Sequence, residues 1–189
     1  MKLYHVSKQP NLTMLEPRVS THKKPYVYAT PNLNFALLFG GKSHGDLDGI
    51  YGHKDKEYNV PYFYEAYQDS FKNRFKNQSC YVYQVDPTNF LEGQTSFKGE
   101  LVSEKPAKIL SCFTINDLYD YFAKLIEKKQ FVLKTYDANN LDCVAEIKAH
   151  IKDRIVRFEI CNDKNSKNYV FCQQHFPDII KECENELNK

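Results

Sequence analysis

The chain has 189 residues, of which 42% are hydrophobic and 26% are charged; this is the composition of a globular protein and excludes a disordered chain. At about 150 residues per domain, the length predicts one domain, or one domain with a small addition. The net charge of +2, from 26 basic and 24 acidic side chains, is too small to indicate nucleic acid or an anionic membrane as the main partner.

Two short strands are predicted near the N-terminus. Residues 2–6 alternate between apolar and polar side chains, and residues 24–30 follow a similar pattern, which is typical of β-strands. Within the second strand Tyr26, Tyr28 and Thr30 share one face, because successive side chains point to opposite faces of a sheet.

A helix and a long loop are predicted after the second strand. Pro31 ends the strand, and Asn32 is a favourable N-cap for a helix that we expect to end at Gly40 and Gly41. Residues 42–58 contain many turn signals and few aliphatic side chains, so they predict a long mobile loop. Loops of this length in compact domains are often functional lids.

The rest of the chain predicts strands first and helices afterwards. Strands are expected over residues 80–86, 99–103 and 108–113, and helices over 67–75, 115–128, 141–157 and 178–187. This order favours an α+β fold. We therefore predict a core domain at residues 1–113 and a helical C-terminal extension at 114–189, either separate or packed on the same domain.

The sequence predicts no membrane segment, no disulfide and no metal site. The sequence has no apolar run of about 18 residues, as a membrane helix needs, and its N-terminus does not resemble a signal peptide, so we expect a cytoplasmic protein without a membrane partner. Six cysteines are then expected to be free thiols, at positions 80, 112, 143, 161, 172 and 183. Cys172 and His175 do not belong to a recognisable zinc pattern, so we expect no metal.

Candidate site residues stand out by their order rather than by their type. His5, Tyr26, Tyr28, Glu100 and Glu104 lie in or beside predicted strands. Taken singly, each has an ordinary structural explanation, since a strand tyrosine is usually in the core and a strand glutamate usually faces water.

Three segments resemble motifs of the ADP-ribosyltransferase superfamily. Leu3–Ser7 resembles the first-strand signature, a His followed closely by a Ser or Thr. Tyr26–Thr30, followed by Pro31, resembles the second motif, an aromatic residue in a strand before a turn and a helix. Gly99–Pro106 resembles the third, a Glu that opens a strand. Together they are similar to the His-Tyr-Glu arrangement of the diphtheria-toxin and poly-ADP-ribose branch, over about residues 1–113.

The resemblance implies a split β-sheet core that uses NAD as a substrate. It implies that Glu100 stabilises an oxocarbenium-like transition state, that His5 holds a ribose hydroxyl, and that Tyr28 stacks on nicotinamide. Arg18 is a candidate pyrophosphate contact because a guanidinium group matches phosphate oxygens. The remaining candidates for contact with NAD are Val6, Ser7, Tyr26 and Thr30. The acceptor of ADP-ribose is a protein, a nucleic acid, a small molecule or water.

The chain departs from the family pattern, and alternatives remain open. Val6 stands where the poly-ADP-ribose branch has Gly, so the floor of the pocket would be bulkier. Tyr26 competes with Tyr28, and Glu104 competes with Glu100, for the site roles. The alternative functions are a non-catalytic module that binds NAD, ADP-ribose or another nucleotide, and an interaction protein that uses the fold as a scaffold. The NAD-using RNA 2′-phosphotransferases resemble the chain less, because they rely on several basic residues.

Overall fold

The structure, a computed structural model, describes residues 1–19, 24–44, 46–95 and 98–187. These residues form a mixed α+β fold. The strands are β1 Leu3–Ser7, β2 Met14–Leu15, β3 Arg18–Val19, β4 Pro25–Ala29, β5 Gly49–Gly52, β6 Tyr62–Glu65, β7 Cys80–Val85, β8 Leu91–Glu92, β9 Leu101–Ser103, β10 Ala107–Ile115 and β11 Val132–Lys134. The helices are α1 Leu33–Ala36, α2 Ser70–Phe75, α3 Leu118–Glu127, α4 Leu141–Arg157, α5 Lys167–His175 and α6 Pro177–Leu187, with 3-10 turns at Leu37–Gly40 and Ile160–Asn162.

The chain divides into two compact units that alternate along the sequence. The first comprises residues 1–42, 52–62 and 75–132, and the second comprises residues 43–51, 63–74 and 133–189. The sequence-based division at residue 113 stays a prediction.

Two antiparallel four-stranded sheets form the first unit. Their strand orders are β1-β7-β10-β2 and β3-β4-β9-β8. Side chains from both sheets form one apolar cluster, because each strand alternates apolar and polar residues. The buried members of this cluster are Leu3, Leu15, Val27, Ala29, Tyr83, Val85, Leu101 and Ala107.

The predicted helix after β4 is found as a short α-helix, α1, that continues into the 3-10 turn Leu37–Gly40. The Oδ1 atom of Asn32 accepts a hydrogen bond from the Phe35 backbone N–H at 3.1 Å, which caps α1. The 3-10 turn after α1 ends at Gly40, where a Cβ atom would lie 3.0 Å from the Val6 and Leu118 side chains. The chain therefore approaches β1 and α3 as closely as a glycine allows.

Helices dominate the second unit, beside the sheet β11-β6-β5, whose strands lie mainly in this unit. Ile147, Ile151 and Ile155 recur every four residues along α4, so they share one face and are buried against α5 and α6. The predicted helix over residues 141–157 is thus confirmed.

A buried ion pair also stabilises the second unit. Asp48 and Arg74 are 1% and 2% exposed, and the Nη1 atom of Arg74 lies 3.2 Å from the Oδ2 atom of Asp48. The other carboxylate oxygen of Asp48 accepts hydrogen bonds from His44 at 3.2 Å and from the Tyr67 hydroxyl at 3.4 Å. The guanidinium group of Arg74 also lies over the Tyr51 ring, 5.1 Å from its centroid.

The prediction of a continuous loop over residues 42–58 is wrong in one part. Strand β5 lies inside this range, and Tyr51 is buried there. The Tyr51 ring stacks on Phe63 of β6 with a centroid distance of 5.9 Å. The turn residues on both sides of β5 obscured the strand pattern, and its partner, β6, lies later in the sequence.

The described residues show the state of the cysteines and the length and apolarity of the helices. The six cysteines are free thiols; Cys80, Cys172 and Cys183 are buried, and Cys112 is exposed. Within the described ranges no helix has the length and apolarity needed to cross a bilayer. The same ranges contain no cluster of three or more His, Cys, Asp or Glu side chains suited to a metal ion.

Candidate functional site

The two sheets of the first unit meet where β1 passes the end of β4. The Tyr4 backbone N–H donates to the Thr30 carbonyl at 2.8 Å, and the Thr30 N–H donates to the Tyr4 carbonyl at 3.0 Å. This pair is an isolated antiparallel bridge rather than a continuous ladder. The motif that contains His5 and the motif that contains Tyr28 are therefore neighbours in space.

His5 makes a hydrogen bond across this junction. Its Nδ1 atom lies 2.8 Å from the backbone carbonyl oxygen of Tyr28. Because a carbonyl only accepts, Nδ1 carries the proton, and Nε2 of the neutral ring is an acceptor. Burial lowers the pKa of His5, the hydrogen bond to Tyr28 partly opposes this, and the charge of Arg18 lowers it further. The ring is therefore neutral near pH 7.

Tyr26 and Tyr28 lie on the same face of β4 but differ in accessibility. Tyr26 is 5% exposed, whereas Tyr28 is only partly buried. Their rings meet edge to face with centroids 5.9 Å apart. Arg18 on β3 stands opposite Tyr26 in the antiparallel register and is exposed. Tyr28 is thus the more accessible ring, and Arg18 adds a positive charge beside this strand.

Glu100 immediately precedes β9, which pairs with β4. In that register Tyr28 faces Val102 and Ala29 faces Leu101, which is the last pair. Glu100 and Thr30 are the next residues of the two strand segments beyond this pair. Residues two apart on a strand share a face, which puts Glu100 on the same face as Val102 and Tyr28. Glu100 is partly buried.

Glu104 lies past the opposite end of β9. It follows Ser103, which faces Val27, and it is exposed. The two glutamates are therefore separated by the length of the strand. Of the two, Glu100 lies at the β1–β4 bridge.

Gly99 gives the backbone the conformation that places Glu100. Its φ of +80° lies in the left-handed region that favours glycine. A Cβ atom at this position would lie 3.2 Å from the ring of His53. His53 and the start of β9 are therefore in close contact.

A cavity of about 760 Å³ opens beside Gly99 and Thr30 within the first unit. Most of its lining residues have polar side chains, although apolar atoms provide the larger part of the lining surface. The polar residues are Tyr4, Thr30, Asn32, Asn34, His53, Lys54, Glu92, Thr95 and Lys98, and the others are Pro31, Leu33, Gly93 and Gly99. Burial lowers the pKa of His53, and the charges of Lys54 and Lys98 lower it further. The cavity therefore presents two lysines and a neutral histidine. Gly99 and Thr30 adjoin Glu100 in the chain and in the fold, but His5, Tyr28 and Glu100 are not among the lining residues.

The remaining predicted site residues contribute less directly. Val6 faces Val82 of β7 and approaches Gly40, so its bulk fills the space that the glycine leaves. The Ser7 Oγ atom accepts a hydrogen bond from the Gln9 N–H at 3.0 Å, and the Thr30 Oγ1 atom accepts one from the Asn32 N–H at 3.2 Å. Both hydroxyls thus stabilise turns, and Thr30 also lines the cavity.

Sequence reasoning missed much of the cavity wall. His53 and Lys54 lie in the segment predicted as a loop, and Lys98 precedes β9 without a recognisable motif. Asn32 and Asn34 follow the Tyr26–Thr30 motif directly; the sequence indicates Asn34 as a candidate for polar lining of the site, and Asn32 only as a helix cap. Comparisons of the chain with models of known families, with curated proteins and with solved structures found no match.

Proposed function

We propose that the chain transfers ADP-ribose from NAD to an acceptor, or to water, at the junction of β1, β4 and β9. The observation that carries the proposal is the convergence of three motif residues that are distant in sequence. His5 bonds to the backbone of Tyr28, and Glu100 comes directly after the Ala29–Leu101 pair at the same end of β4. Two sheets joined by the single Tyr4–Thr30 bridge agree with the split sheet that the family resemblance implies.

His5 acts as a binding and orienting group in this proposal. Its Nδ1–H is held by the Tyr28 carbonyl, so the ring has one orientation and one tautomer. The Nε2 atom then accepts a hydrogen bond from a ribose hydroxyl of NAD. Because burial keeps the ring neutral, this acceptor is present at neutral pH.

Tyr28 provides the aromatic face for the nicotinamide ring. Its partial exposure leaves ring surface for a ligand, whereas Tyr26 is buried and supports Tyr28 from the side. An aromatic contact of this type contributes about 0.5–1.5 kcal/mol beyond the area that it buries.

Glu100 supplies the negative charge that the reaction needs. The bond between the ribose C1′ atom and the nicotinamide nitrogen breaks, and its electron pair neutralises the pyridinium ring, which leaves as nicotinamide. Positive charge develops on the ribose, as in glycoside hydrolysis, and a nearby carboxylate stabilises it. The acceptor attacks C1′ with an O–H or N–H group, and its proton passes to the Glu100 carboxylate and then to water.

The cavity next to Glu100 fits a ligand of this class. Its volume of about 760 Å³ is within the range of about 300–1,000 Å³ found for small-molecule sites. Lys54, Lys98 and Arg18 are available for phosphate oxygens, because all three carry positive charge close to the proposed site.

Release of nicotinamide from NAD tests the proposal. Purified protein is incubated with NAD, nicotinamide is quantified by chromatography, and NAD binding is measured separately by calorimetry. We expect release by the wild type, a decrease of about 10²–10³-fold in Glu100→Gln, and a near-normal rate in the matched control Glu104→Gln. Turnover retained in Glu100→Gln would overturn the assignment of Glu100. Binding without release would favour a nucleotide-binding module. The absence of both NAD binding and nicotinamide release would favour a protein that uses the fold only as a scaffold.

A further inference from the structure

Strand β10 leaves one edge of its sheet open. Its inner edge pairs with β7 from Ile109 to Ile115, whereas its outer edge pairs with β2 only at Ala107 and Lys108. The Ile109 N–H also donates to the Thr13 carbonyl at 3.4 Å. From Leu110 onward, the described residues place no strand along the outer edge. Backbone N–H and C=O groups on such an edge are a template for another strand.

The open segment is exposed and carries no charge. Residues 110–114 are all exposed, and Leu110 and Phe113 are 51% and 42% exposed although both are large and apolar. The sequence from Ile109 to Ile115 contains no Lys, Arg, Asp, Glu or Pro. Proteins usually protect an edge strand with charged residues, proline or a β-bulge. The register of β10 against β7 shifts between Ile109 and Ser111, but it is regular from Ser111 to Ile115, so this part of the edge has no such protection.

The segment complements itself in the antiparallel direction. When two copies pair with Cys112 opposite Cys112, Leu110 faces Thr114 and Ser111 faces Phe113. The pairing ends there, because Ile109 bonds to Thr13 and Lys108 pairs with Met14 on the same edge. Lys108 precedes the uncharged segment and Asp117 follows it, so the lysine of each copy comes next to the acidic end of the other. The opposite charges at the two ends and the antiparallel direction therefore agree with a single occupant, a second copy of this segment.

We propose that residues 110–114 of β10 pair with the same segment of a second copy of this chain. The pairing is antiparallel and centred on Cys112, and it joins the two β1-β7-β10 sheets into one continuous sheet across a symmetric dimer. The dimer buries Leu110 and Phe113 and satisfies the open backbone groups. This proposal is independent of NAD chemistry.

Analytical ultracentrifugation of the full chain over a wide range of concentrations tests the dimer. The wild type is expected to show a concentration-dependent dimer. Phe113→Lys brings like charges together across the edge and is expected to be monomeric over the same range. The matched control is Leu91→Lys, because Leu91 is an exposed apolar strand residue, 62% exposed, on the other sheet. Circular dichroism verifies that both variants are folded.

Cross-linking at Cys112 tests the register. Opposite residues of an antiparallel pair have Cα atoms about 4.5–5.5 Å apart, which is within the range that a disulfide spans. Oxidation in air with copper-phenanthroline is expected to yield a covalent dimer whose linked peptides both contain Cys112, and Cys112→Ser is expected to prevent it. A wild type that is monomeric throughout, a dimer that survives Phe113→Lys, or a dimer that Cys112 does not link would overturn the proposal.

Discussion

The Nδ1 atom of His5 lies 2.8 Å from the backbone carbonyl oxygen of Tyr28, 23 residues away in sequence. This contact lies beside the isolated Tyr4–Thr30 bridge, because His5 follows Tyr4 and Tyr28 lies two residues before Thr30. It gives the imidazole a fixed tautomer and holds the first and second motifs together. The same side chain is therefore a structural connection and the proposed binding group for ribose.

Protonation of His5 is expected to destabilise the fold. Burial lowers the pKa of His5 below the ordinary value of 6.5, so the unfolded chain binds a proton at a pH where the folded chain does not. The contribution of His5 to the free energy of unfolding is therefore present at a pH well above 6.5, the ordinary pKa of histidine in the unfolded chain. It is lost as the pH falls from about 6.5 to the lower pKa of the folded chain. NMR titration is expected to show a neutral His5 ring at pH 6.5. Unfolding curves of His5→Gln are expected to depend less steeply on pH than those of the wild type, and an identical dependence would contradict this account.

Removal of the Tyr28 ring is expected to weaken NAD binding. Tyr28→Ala loses the aromatic contact, which is worth about 0.5–1.5 kcal/mol. The Kd for NAD is therefore expected to rise by about 2-fold to 13-fold. Tyr28→Phe keeps the ring and serves as the control, with an affinity near that of the wild type. Calorimetric titration with NAD measures both, and equal affinities of the Ala and Phe variants would place the nicotinamide ring elsewhere.

Alanine at Gly99 is expected to be more destabilising than alanine at Gly93. Both glycines have positive φ, +80° and +76°, so each substitution carries a backbone cost of about 1–2 kcal/mol. Only the Cβ atom at position 99 would meet the His53 ring, at 3.2 Å, whereas position 93 has nothing within 4 Å. Urea unfolding compares the two variants. Nicotinamide release is also expected to fall in Gly99→Ala, because Glu100 is the next residue; equal effects of both substitutions would contradict the role given to His53.

Loss of the Asp48 carboxylate is expected to destabilise the chain strongly. Asp48→Ala leaves the charge of Arg74 buried without its carboxylate partner, which costs about 3–5 kcal/mol. Asp153 provides a matched control, because it is 50% exposed and forms surface ion pairs with Arg154 and Arg157. Asp153→Ala is expected to cost less than about 1 kcal/mol. Chemical denaturation measures both variants, and similar losses would show that the buried pair is not a major source of stability.

Local sequence patterns predicted much of the secondary structure. Alternation predicted β1, β4 and β7, Asn32 predicted the start of α1, and the isoleucines of α4 predicted a long helix. Helix α5 was missed because its apolar residues are spread around the helix, although Ser166 caps it by accepting from the Tyr169 N–H at 3.1 Å. The formation of α5 therefore depends on packing against its neighbours in space more than on its own sequence pattern.

The candidate site was predicted less completely than the strands. The motifs suggested His5, Tyr28 and Glu100, but the position of Glu100 beside the end of β4 depends on the pairing of β4 with β9, which no local pattern specifies. His53 reaches the cavity from a segment whose sequence indicates only turns. Residues brought together by pairing across more than 70 positions cannot be assigned from local periodicity.

A structure of the chain with carbocyclic NAD, in which a methylene group replaces the ribose ring oxygen, tests the central claim most directly. This analogue cannot form an oxocarbenium ion, so it stays intact in the site. The account predicts the nicotinamide ring against Tyr28, a ribose hydroxyl at the Nε2 atom of His5, and the Glu100 carboxylate beside C1′. Binding at a different place, or no binding at saturating concentration, would contradict it.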